Sequence, residues 1–289
     1  MKPPRLSYAR PESLGDALSL AARYGADAKL LAGGQSLVPM LNLRLADPGI
    51  LIDLNRLSSL SGIRRENGSL RIGALTRHRE LELSPEAAAA EPLLKRAARE
   101  IGHLAIRNRG TIGGSIAHAD PSAEWPLLAV ALDAKLGLRS QRKSRTVPAR
   151  DFFAGPFTTC AEPDEILTEI DFPLATSGGG FGFQELCRRP GDFAIVAVAC
   201  RLDVEDGRCT AARIAVGGAG PTPLHLPAVE AIVKGSRGEN DAINEAAVAA
   251  SRAVDPASDL HGSADYRRRM VAVLTRRALS EAFTNASPS

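Results

Sequence analysis

Two glycine pairs constrain the fold of this chain more than any other feature of its sequence. The first lies in "KLLAGGQSLVP" (29–39) and the second in "GTIGGSIAHADPSAEWP" (110–126), and each stands between an apolar run and a hydroxyl or amide side chain. Because glycine has no Cβ, its backbone adopts positive φ and approaches a ligand closely, and successive exposed N–H groups form an anion-binding nest. Each pair therefore predicts either a tight turn after a strand or a loop that binds phosphate groups.

Two facing glycine loops would hold an extended dinucleotide from both sides. The main-chain amides of 32–36 would contact two phosphates, and the side chains of Gln35 and Ser36 would add donors. The facing surface would come from Thr111, Gly113, Gly114 and Ser115. Asp120 and Glu124 follow as acceptors suited to sugar hydroxyls. The chain contains neither GxGxxG nor GxxxxGK followed by Ser or Thr, so a dinucleotide would need a fold other than the Rossmann or P-loop fold.

The composition narrows the function class. The 36 basic and 33 acidic residues nearly balance, and aromatic residues make up 4% of the chain, so neither charge nor base stacking favours nucleic-acid binding. The cysteines (Cys160, Cys187, Cys200 and Cys209) form no CxxC pair and the histidines form no HxH or HxxxH pair, so no metal site is expected. The chain shows neither a signal-peptide core nor an apolar run long enough to cross a membrane, which predicts a soluble cytoplasmic protein.

Residues 1–57 are predicted to form a small α/β lobe. Apolar residues from Leu14 onward recur at helical spacing, with Ser13 as the N-cap and Gly25 as the stop. Short apolar strands follow in "AKLLAGG" and in "GILIDLNRL" (49–57).

Residues 58–175 are predicted to form a second lobe. The alternating residues around Asn67-Gly68 predict a β-hairpin, because Asn-Gly is a strong hairpin-turn signal. Residues 91–106 are apolar along one face and predict an amphipathic helix directly before the second glycine pair. The stretch "WPLLAVALDAKLGLRS" predicts a helix running into a strand, and 165–174 a further strand.

A glycine-rich linker at 175–182 leads into a third part, 176–289. Its apolar strands are joined by a predicted hairpin turn at Asp206-Gly207. Two helices then follow, around 239–254 and 264–284.

Three motifs resemble one known family. The stretches "KLLAGGQSLVPMLNLRLADPGILIDLNRL", "IRNRGTIGGSIAHADPSAEWP" and "CRRPGDFAIVAVAC" resemble the FAD-binding medium subunit of the molybdenum hydroxylases, the family of the carbon monoxide dehydrogenase medium subunit and the xanthine dehydrogenase FAD subunit. The resemblance implies an α+β chain: a two-lobe FAD-binding domain of the vanillyl-alcohol-oxidase (PCMH) type, then a smaller C-terminal α/β flavoprotein domain with a three-stranded antiparallel sheet and helices.

The same resemblance implies a cofactor and partners. This chain would carry FAD and pass electrons from a small [2Fe-2S] subunit to an external acceptor, while a large molybdopterin subunit hydroxylates the substrate. The assembly would be a dimer of heterotrimers, and no residue of this chain would act on the organic substrate. The absence of clustered cysteines agrees with this division, because an iron–sulfur cluster needs closely placed thiolates.

The resemblance further implies a set of FAD-contacting residues. They are Leu30, Leu31, Ala32, Gly33, Gly34, Gln35, Ser36, Leu37, Ile101, Thr111, Gly114, Ser115, His118, Asp120, Glu124, Ile166, Leu167, Gln184 and Phe193. Within this set, Glu124 would bind a flavin hydroxyl, and Ile166 and Leu167 would pack on the ring system. His118 and Asp120 would add polar contacts, with a purely structural role as the alternative for His118.

At two positions the chain departs from the family pattern. Gln184 stands where some relatives carry a lysine near the flavin, and an amide donates a hydrogen bond without adding a positive charge. Phe193 stands where certain relatives carry a tyrosine over the flavin face, so the ring is kept and the hydroxyl is lost. A core-packing role is the alternative for Phe193.

Two basic segments have alternative explanations. Arg188 and Arg189 precede the turn "PGD" and would pair with Asp192, pair with a carboxylate of a partner chain, or remain solvated. The run "RSQRKSR" (139–145) predicts an exposed hairpin edge, with subunit docking as the alternative.

Two other functions compete with that of an electron-transfer subunit. A stand-alone flavin oxidase or reductase on the same fold would need its own acid/base residues for substrate. A scaffold chain without FAD would lack the visible absorption of a flavoprotein.

Overall fold

The computed structural model describes residues 2–286 and begins with a small parallel sheet. Met1 and 287–289, the outer ends of the first and last predicted parts, lie outside the described residues. The elements of the first part are β1 (Ser7–Ala9), α1 (Leu14–Tyr24), β2 (Ala28–Leu31), α2 (Leu37–Asn42) and β3 (Ile50–Asp53), with a 3₁₀ turn at Gly25–Asp27. A second 3₁₀ turn, Ser58–Leu60, begins the second part. The strand order is β1-β3-β2 with both pairs parallel, so the residues that follow β2 and β3 emerge at the same edge.

Both predicted ends of α1 are confirmed. The Ser13 hydroxyl accepts a hydrogen bond from the Asp16 N–H at 3.1 Å, which satisfies one of the free donors of the first helical turn. Gly25 ends the helix with a φ of 49°, a conformation that favours glycine. The helix buries Ala17, Leu18 and Ala21 against the sheet.

The second part combines a five-stranded antiparallel sheet with helices. Its elements are β4 (Ile63–Glu66), β5 (Ser69–Gly73), α3 (His78–Leu83), α4 (Pro85–Ala90), α5 (Pro92–Ala98), α6 (Leu104–Arg107), α7 (Ile112–His118), α8 (Glu124–Ala131), β6 (Lys135–Arg139), β7 (Ser144–Pro148), α9 (Ala149–Phe152), β8 (Phe153–Gly155), β9 (Thr158–Thr159) and β10 (Ile166–Pro173). The order is β4-β5-β10-β6-β7. The predicted hairpin turn is confirmed, with Asn67 and Gly68 at φ values of 49° and 76°. Trp125, Phe152 and Phe172 are fully buried in the core of this part.

The single helix predicted over 91–106 is wrong. Helix α5 ends at Ala98 and α6 begins at Leu104, and between them Gly102 adopts a left-handed φ of 49° and His103 is extended. Both conformations interrupt the i to i−4 hydrogen bonds of a helix, although the apolar spacing continues through them. The apolar pattern of 91–106 therefore predicted correctly which residues are buried, and it predicted a helix that is too long.

The basic run at 139–145 forms the predicted hairpin edge. Strand β7 is the last strand of its sheet and pairs only with β6. Arg145 contacts Glu165 at 2.7 Å and Arg142 contacts Asp164 at 3.1 Å. Part of this positive charge is thus neutralised within the chain.

The third part is an antiparallel sheet covered by helices. Its elements are β11 (Gly180–Leu186), β12 (Val196–Glu205), β13 (Arg208–Gly217), β14 (Leu224–His225), α10 (Pro227–Val233), α11 (Asn240–Ala253) and α12 (Ala264–Asn285). The three long strands correspond to the expected sheet, and the two-residue β14 adds a fourth at the edge. The turn between β12 and β13 contains Asp206 and Gly207 at positive φ, as predicted.

The two faces of β11 contact different neighbours. On one face, a Cβ at Gly182 would overlap the Ala278 carbonyl of α12, so glycine is needed for the close approach of that helix. On the other face, Phe183 is fully buried in the core of the second part. Because side chains alternate along a strand, Gln184 shares the face of Gly182 and Glu185 shares the face of Phe183.

No helix within residues 2–286 is both long and apolar enough to span a membrane.

Candidate functional site

The two glycine stretches lie against each other. A Cβ on Gly33 would overlap the Arg109 carbonyl oxygen and come within 2.7 Å of the Gly110 Cα. A Cβ on Gly114 would lie 3.5 Å from the Cβ of Ala32. The fold thus brings together two segments separated by nearly eighty positions, at the carboxyl-terminal edge of β2, where parallel strands commonly present ligand sites.

The first stretch presents a row of free donors. The backbone N–H groups of 33–36 have no acceptor among the residues that the structure describes. Gly34 has a φ of 74°, which turns the chain between β2 and α2. Side-chain Nε2 of Gln35 donates to the Gly33 carbonyl at 3.1 Å and braces the turn. Successive free N–H groups in such a turn form a nest that suits an anion, so this segment fits a phosphate group.

The second stretch has no free donors at its start. It forms the first turn of α7 instead of a loop, and its N–H groups are bonded within the protein. Gly113 N–H donates to the Ala74 carbonyl at 2.9 Å, and Gly114 N–H donates to the Thr111 hydroxyl at 3.1 Å. Ile112 and Ser115 N–H groups are bonded to the carbonyls of Thr76 and Thr111.

Glycine in the second stretch therefore allows neighbouring segments of the protein to pack closely against its backbone. A Cβ on Gly113 would lie 2.7 Å from the Cα of Ala74, which is backbone and cannot move aside. Gly114 leaves room on the side that faces Ala32. This stretch supplies a smooth wall beside the nest, and its N–H groups are already used.

Two residues that sequence reasoning missed connect the stretches. Asn55 follows β3 and donates from Nδ2 to the Ala32 carbonyl at 2.8 Å. Arg77 donates from Nη2 to Oδ1 of Asn55 at 2.7 Å and from Nη1 to the Arg109 carbonyl. The position of Asn55 directly after a strand parallel to β2 was the available signal, since carboxyl ends of neighbouring parallel strands share an edge.

Carboxyl groups gather near the amino end of α8. Glu124, only 5% exposed, lies in the first turn of that helix. Burial, helped by the nearby carboxylates of Asp120 and Glu100, raises the pKa of Glu124 to about 7. Burial also raises the pKa of Glu185 to about 9, with Glu124 and Glu100 contributing and Arg96 opposing. Glu185, which sequence reasoning also missed, faces this group from β11.

The remaining predicted residues of the first and second parts surround the stretches in different ways. Leu30 and Leu31 end β2, and Leu37 begins α2, so these three flank the nest. His118, half-buried at the end of α7, packs on the Phe157 ring with a centroid distance of 5.1 Å. Burial lowers the pKa of His118, so its ring is neutral at pH 7.

The apolar residues predicted near the flavin ring are buried. Ile166 is fully buried and belongs to the core of the first part, although it begins a strand of the second. Leu167 and Ile101 belong to the core of the second part. Asp120 closes a local turn by accepting the Ser122 N–H at 2.9 Å.

Gln184 belongs to β11, and Phe193 belongs to the loop that follows it. Gln184 donates from Nε2 to Glu281 of α12 at 2.8 Å, on the face of β11 opposite to Glu185. Phe193 is 58% exposed in the loop after β11. That loop contacts the second part at Gly191, where an added Cβ would lie 3.0 Å from the backbone of Gly102.

Two further observations concern charged and potentially metal-ligating side chains. Neither Arg188 nor Arg189 forms an ion pair with Asp192 in the described part of the chain; the Asp192 N–H instead donates to the Arg189 carbonyl at 3.0 Å. No group of three or more His, Cys, Asp or Glu side chains suited to a metal ion occurs within residues 2–286.

Comparisons with known proteins cover the whole of this arrangement. Residues 4–175 match the family model "FAD binding domain in molybdopterin dehydrogenase", and residues 181–282 match "CO dehydrogenase flavoprotein C-terminal domain". The chain is 41% identical to the 6-hydroxypseudooxynicotine dehydrogenase complex subunit alpha of Paenarthrobacter nicotinovorans, covering 100% of this chain and 98% of that protein. It is 40% identical to the carbon monoxide dehydrogenase medium chain of Hydrogenophaga pseudoflava, covering 99% and 100%.

A solved structure gives the same result for the fold. A chain of the carbon monoxide dehydrogenase from Hydrogenophaga pseudoflava that lacks the Mo-pyranopterin moiety superimposes with a TM-score of 0.97 at 42% identity, covering 99% of this chain and 100% of that one.

Proposed function

This chain belongs to the family of FAD-binding domains in molybdopterin dehydrogenases and is an FAD-binding oxidoreductase subunit, and from that premise we propose that the FAD pyrophosphate lies on the nest of 33–36. The observation that carries this proposal is the row of backbone N–H groups at 33–36, which have no acceptor in the described part of the protein. A pyrophosphate carries acceptor oxygens and negative charge, which is what such a row requires.

The residues around the nest have complementary tasks. Gly114 lets the ligand approach the wall formed by α7, and Leu30, Leu31 and Leu37 flank the nest. Glu124 would bind a hydroxyl of the flavin chain or ribose. With a pKa of about 7, its carboxyl group at neutral pH either accepts a hydrogen bond from a hydroxyl or donates one to it.

The other predicted contacts divide into two groups. In this proposal the first group lines the FAD site together with the nest, and it consists of Thr111, Ser115, His118, Asp120, Ile101, Ile166 and Leu167. Gln184 lies within β11 and Phe193 lies in the loop after it, so contact with FAD would require this strand and this loop to border the cofactor.

The chain works as one subunit of a multi-subunit molybdenum hydroxylase. Bound FAD supplies one- and two-electron chemistry, and the protein's own part is to bind the cofactor, orient it and limit the access of water. No residue of this chain is assigned to the organic substrate. The proposal places electron entry at a small [2Fe-2S] subunit and substrate hydroxylation on a large molybdopterin subunit, in a cytoplasmic dimer of heterotrimers.

The proposed division of the chain is 1–57 and 58–175 for the two FAD-binding lobes and 176–289 for the C-terminal domain. The separate sheets of the three parts support this division.

Purification of the native protein tests the proposal. FAD in a ratio near one per chain, released into the supernatant by acid, is expected, together with molybdenum and iron on co-purifying chains. The isolated chain loaded with FAD should lose its visible flavin absorption with dithionite and keep it with aldehydes or heteroaromatic substrates. Reduction by such a substrate without molybdenum would favour a stand-alone flavin oxidase or reductase, and a colourless native chain would favour a scaffold.

A further inference from the structure

We propose that Asn55 and Arg77 are positioning residues that set the direction of the nest N–H groups toward the FAD pyrophosphate. The inference rests on the proposed function, because it assigns a role toward FAD to two residues outside the nest itself. They form a continuous chain of hydrogen bonds from the Ala32 carbonyl to the Arg109 carbonyl, across the point where Gly33 touches Gly110.

The orientation of the Asn55 amide is determined by its partners. Its Nδ2 donates to the Ala32 carbonyl at 2.8 Å and to Oδ1 of Asp53 at 2.6 Å, which uses both of its N–H bonds. Its Oδ1 accepts from Arg77 at 2.7 Å. Because the carbonyl and the carboxylate only accept and the guanidinium only donates, one orientation of the amide satisfies all three partners.

Asp53 ties this amide to the first sheet. Its Oδ1 also accepts the Asn55 N–H at 2.9 Å, and its Oδ2 accepts the Tyr8 hydroxyl at 2.5 Å. Arg10 lies 3.7 Å from Oδ2. The side chain of Asn55 is therefore held at a fixed place above the carboxyl ends of β2 and β3.

The hold on Ala32 has a direct consequence for the nest. In a trans peptide unit the C=O and the following N–H point in opposite directions, so fixing the Ala32 oxygen toward Asn55 directs the Gly33 N–H away from it. That N–H is one of the donors without an acceptor in residues 2–286. Gln35 acts in the same way one peptide further on, where its bond to the Gly33 carbonyl directs the Gly34 N–H.

Arg77 relates the nest to the facing wall. Its main chain pairs with Thr111 in an antiparallel bridge, and its guanidinium reaches both Asn55 and the Arg109 carbonyl. The nest is thereby tied to the start of α7, so both walls of the pocket share one support. The half-buried guanidinium also places a positive charge beside a site proposed for an anion.

The test compares Asn55→Ala and Arg77→Gln with Arg56→Ala in the full chain. Arg56 is adjacent to Asn55 and makes a 2.8 Å ion pair with Glu12, in which both side chains are exposed, so its removal controls for a change in the same loop. Each FAD-free chain is titrated with FAD, and phosphorus NMR spectra are recorded at saturating FAD. We expect affinity to fall about tenfold or more in the two test variants, and their bound pyrophosphate resonances to shift. Arg56→Ala should match the wild type in both measurements.

The spectrum separates positioning from a merely structural role. A loss of affinity with unchanged pyrophosphate resonances would make Asn55 and Arg77 structural supports and overturn the inference, as would an affinity equal to that of Arg56→Ala. Arg77→Gln keeps the test decisive if Asn55→Ala does not fold, because it breaks the same chain of hydrogen bonds at its other end. Failure of the wild-type chain to bind FAD would instead overturn the proposed function.

Discussion

The two glycine stretches look alike in the sequence and differ in what their backbones do. In the first, the N–H groups of 33–36 find no acceptor within residues 2–286. In the second, the N–H groups of 112–115 donate to Thr76, Ala74 and Thr111. The first stretch is therefore equipped to bind a ligand, and the second is equipped to let protein segments approach closely.

This difference shows that glycine is needed in a Gly-Gly pair for two separate reasons. Glycine at Gly33 and Gly113 is required because a neighbouring backbone leaves no space for a Cβ. Glycine at Gly34 is required for a different reason, since its φ is 74°. Substitutions at the two stretches should accordingly affect stability and FAD binding to different degrees.

The largest effect is expected from Gly113→Ala. The new Cβ would lie 2.7 Å from the Cα of Ala74, so the backbone of the second part must shift. We expect the free energy of unfolding of the FAD-free chain to fall by about 2–3 kcal/mol, measured by urea denaturation. Gly220→Ala is the control, because its Cβ would meet nothing closer than 3.6 Å. Equal midpoints for the two variants would show that the second stretch is not needed for packing.

Gly34→Ala should act on FAD binding more than on stability. Alanine at a φ of 74° is strained by about 1–2 kcal/mol, and relief of that strain would turn the nest N–H groups. We expect the dissociation constant for FAD to rise about tenfold in a fluorescence titration. Gly68→Ala, at a φ of 76° in open space, carries the same strain far from the nest and should leave FAD affinity unchanged. A matching loss of affinity in both variants would remove the distinction between the stretches.

Glu124→Gln should change the pH dependence of stability. The folded pKa of about 7 exceeds the ordinary value of 4.5, so the folded chain keeps a proton that the unfolded chain releases between these values. Stability that is present below about pH 4.5 is therefore lost as pH rises toward 7. We expect the variant to lose this pH dependence, on the order of 1 kcal/mol for each unit by which the folded pKa exceeds the ordinary one, measured by urea unfolding at both ends of the window. An unchanged pH profile would show that Glu124 is ionised in the folded chain.

The smallest effect is expected from Gln184→Ala. Removing the 2.8 Å hydrogen bond to Glu281 should lower the free energy of unfolding by about 0.5–1 kcal/mol. FAD affinity should stay within about twofold of the wild-type value, because the side chain faces α12. A tenfold loss of affinity would instead place Gln184 in the FAD site and extend the ligand-binding region beyond the first stretch.

Local features of the fold were predictable because their causes are local. The cap at Ser13, the stop at Gly25 and the hairpin turn at Asn67-Gly68 depend on backbone conformations that these residues favour by themselves. The end of α5 was not predictable, because the apolar spacing of a helix continues past Ala98 to Ile101, while the left-handed Gly102 separates α5 from α6. A glycine within an apolar pattern allows a break without requiring one.

The sequence by itself determined where the glycine pairs stand, which residues start and stop the local elements, and the family that the motifs resemble. The tertiary structure decided which pair keeps its N–H groups free. In the second stretch the N–H groups are bonded, and some of their acceptors are carbonyls of 74–76, a segment distant in the sequence. The tertiary structure also decided that Asn55 and Arg77 join the two stretches and that Glu185 faces Glu124 while Gln184 faces α12. The backbone conformation that a residue favours depends on that residue and its neighbours in the sequence. Whether a backbone N–H group finds an acceptor depends instead on which segments the fold packs beside it.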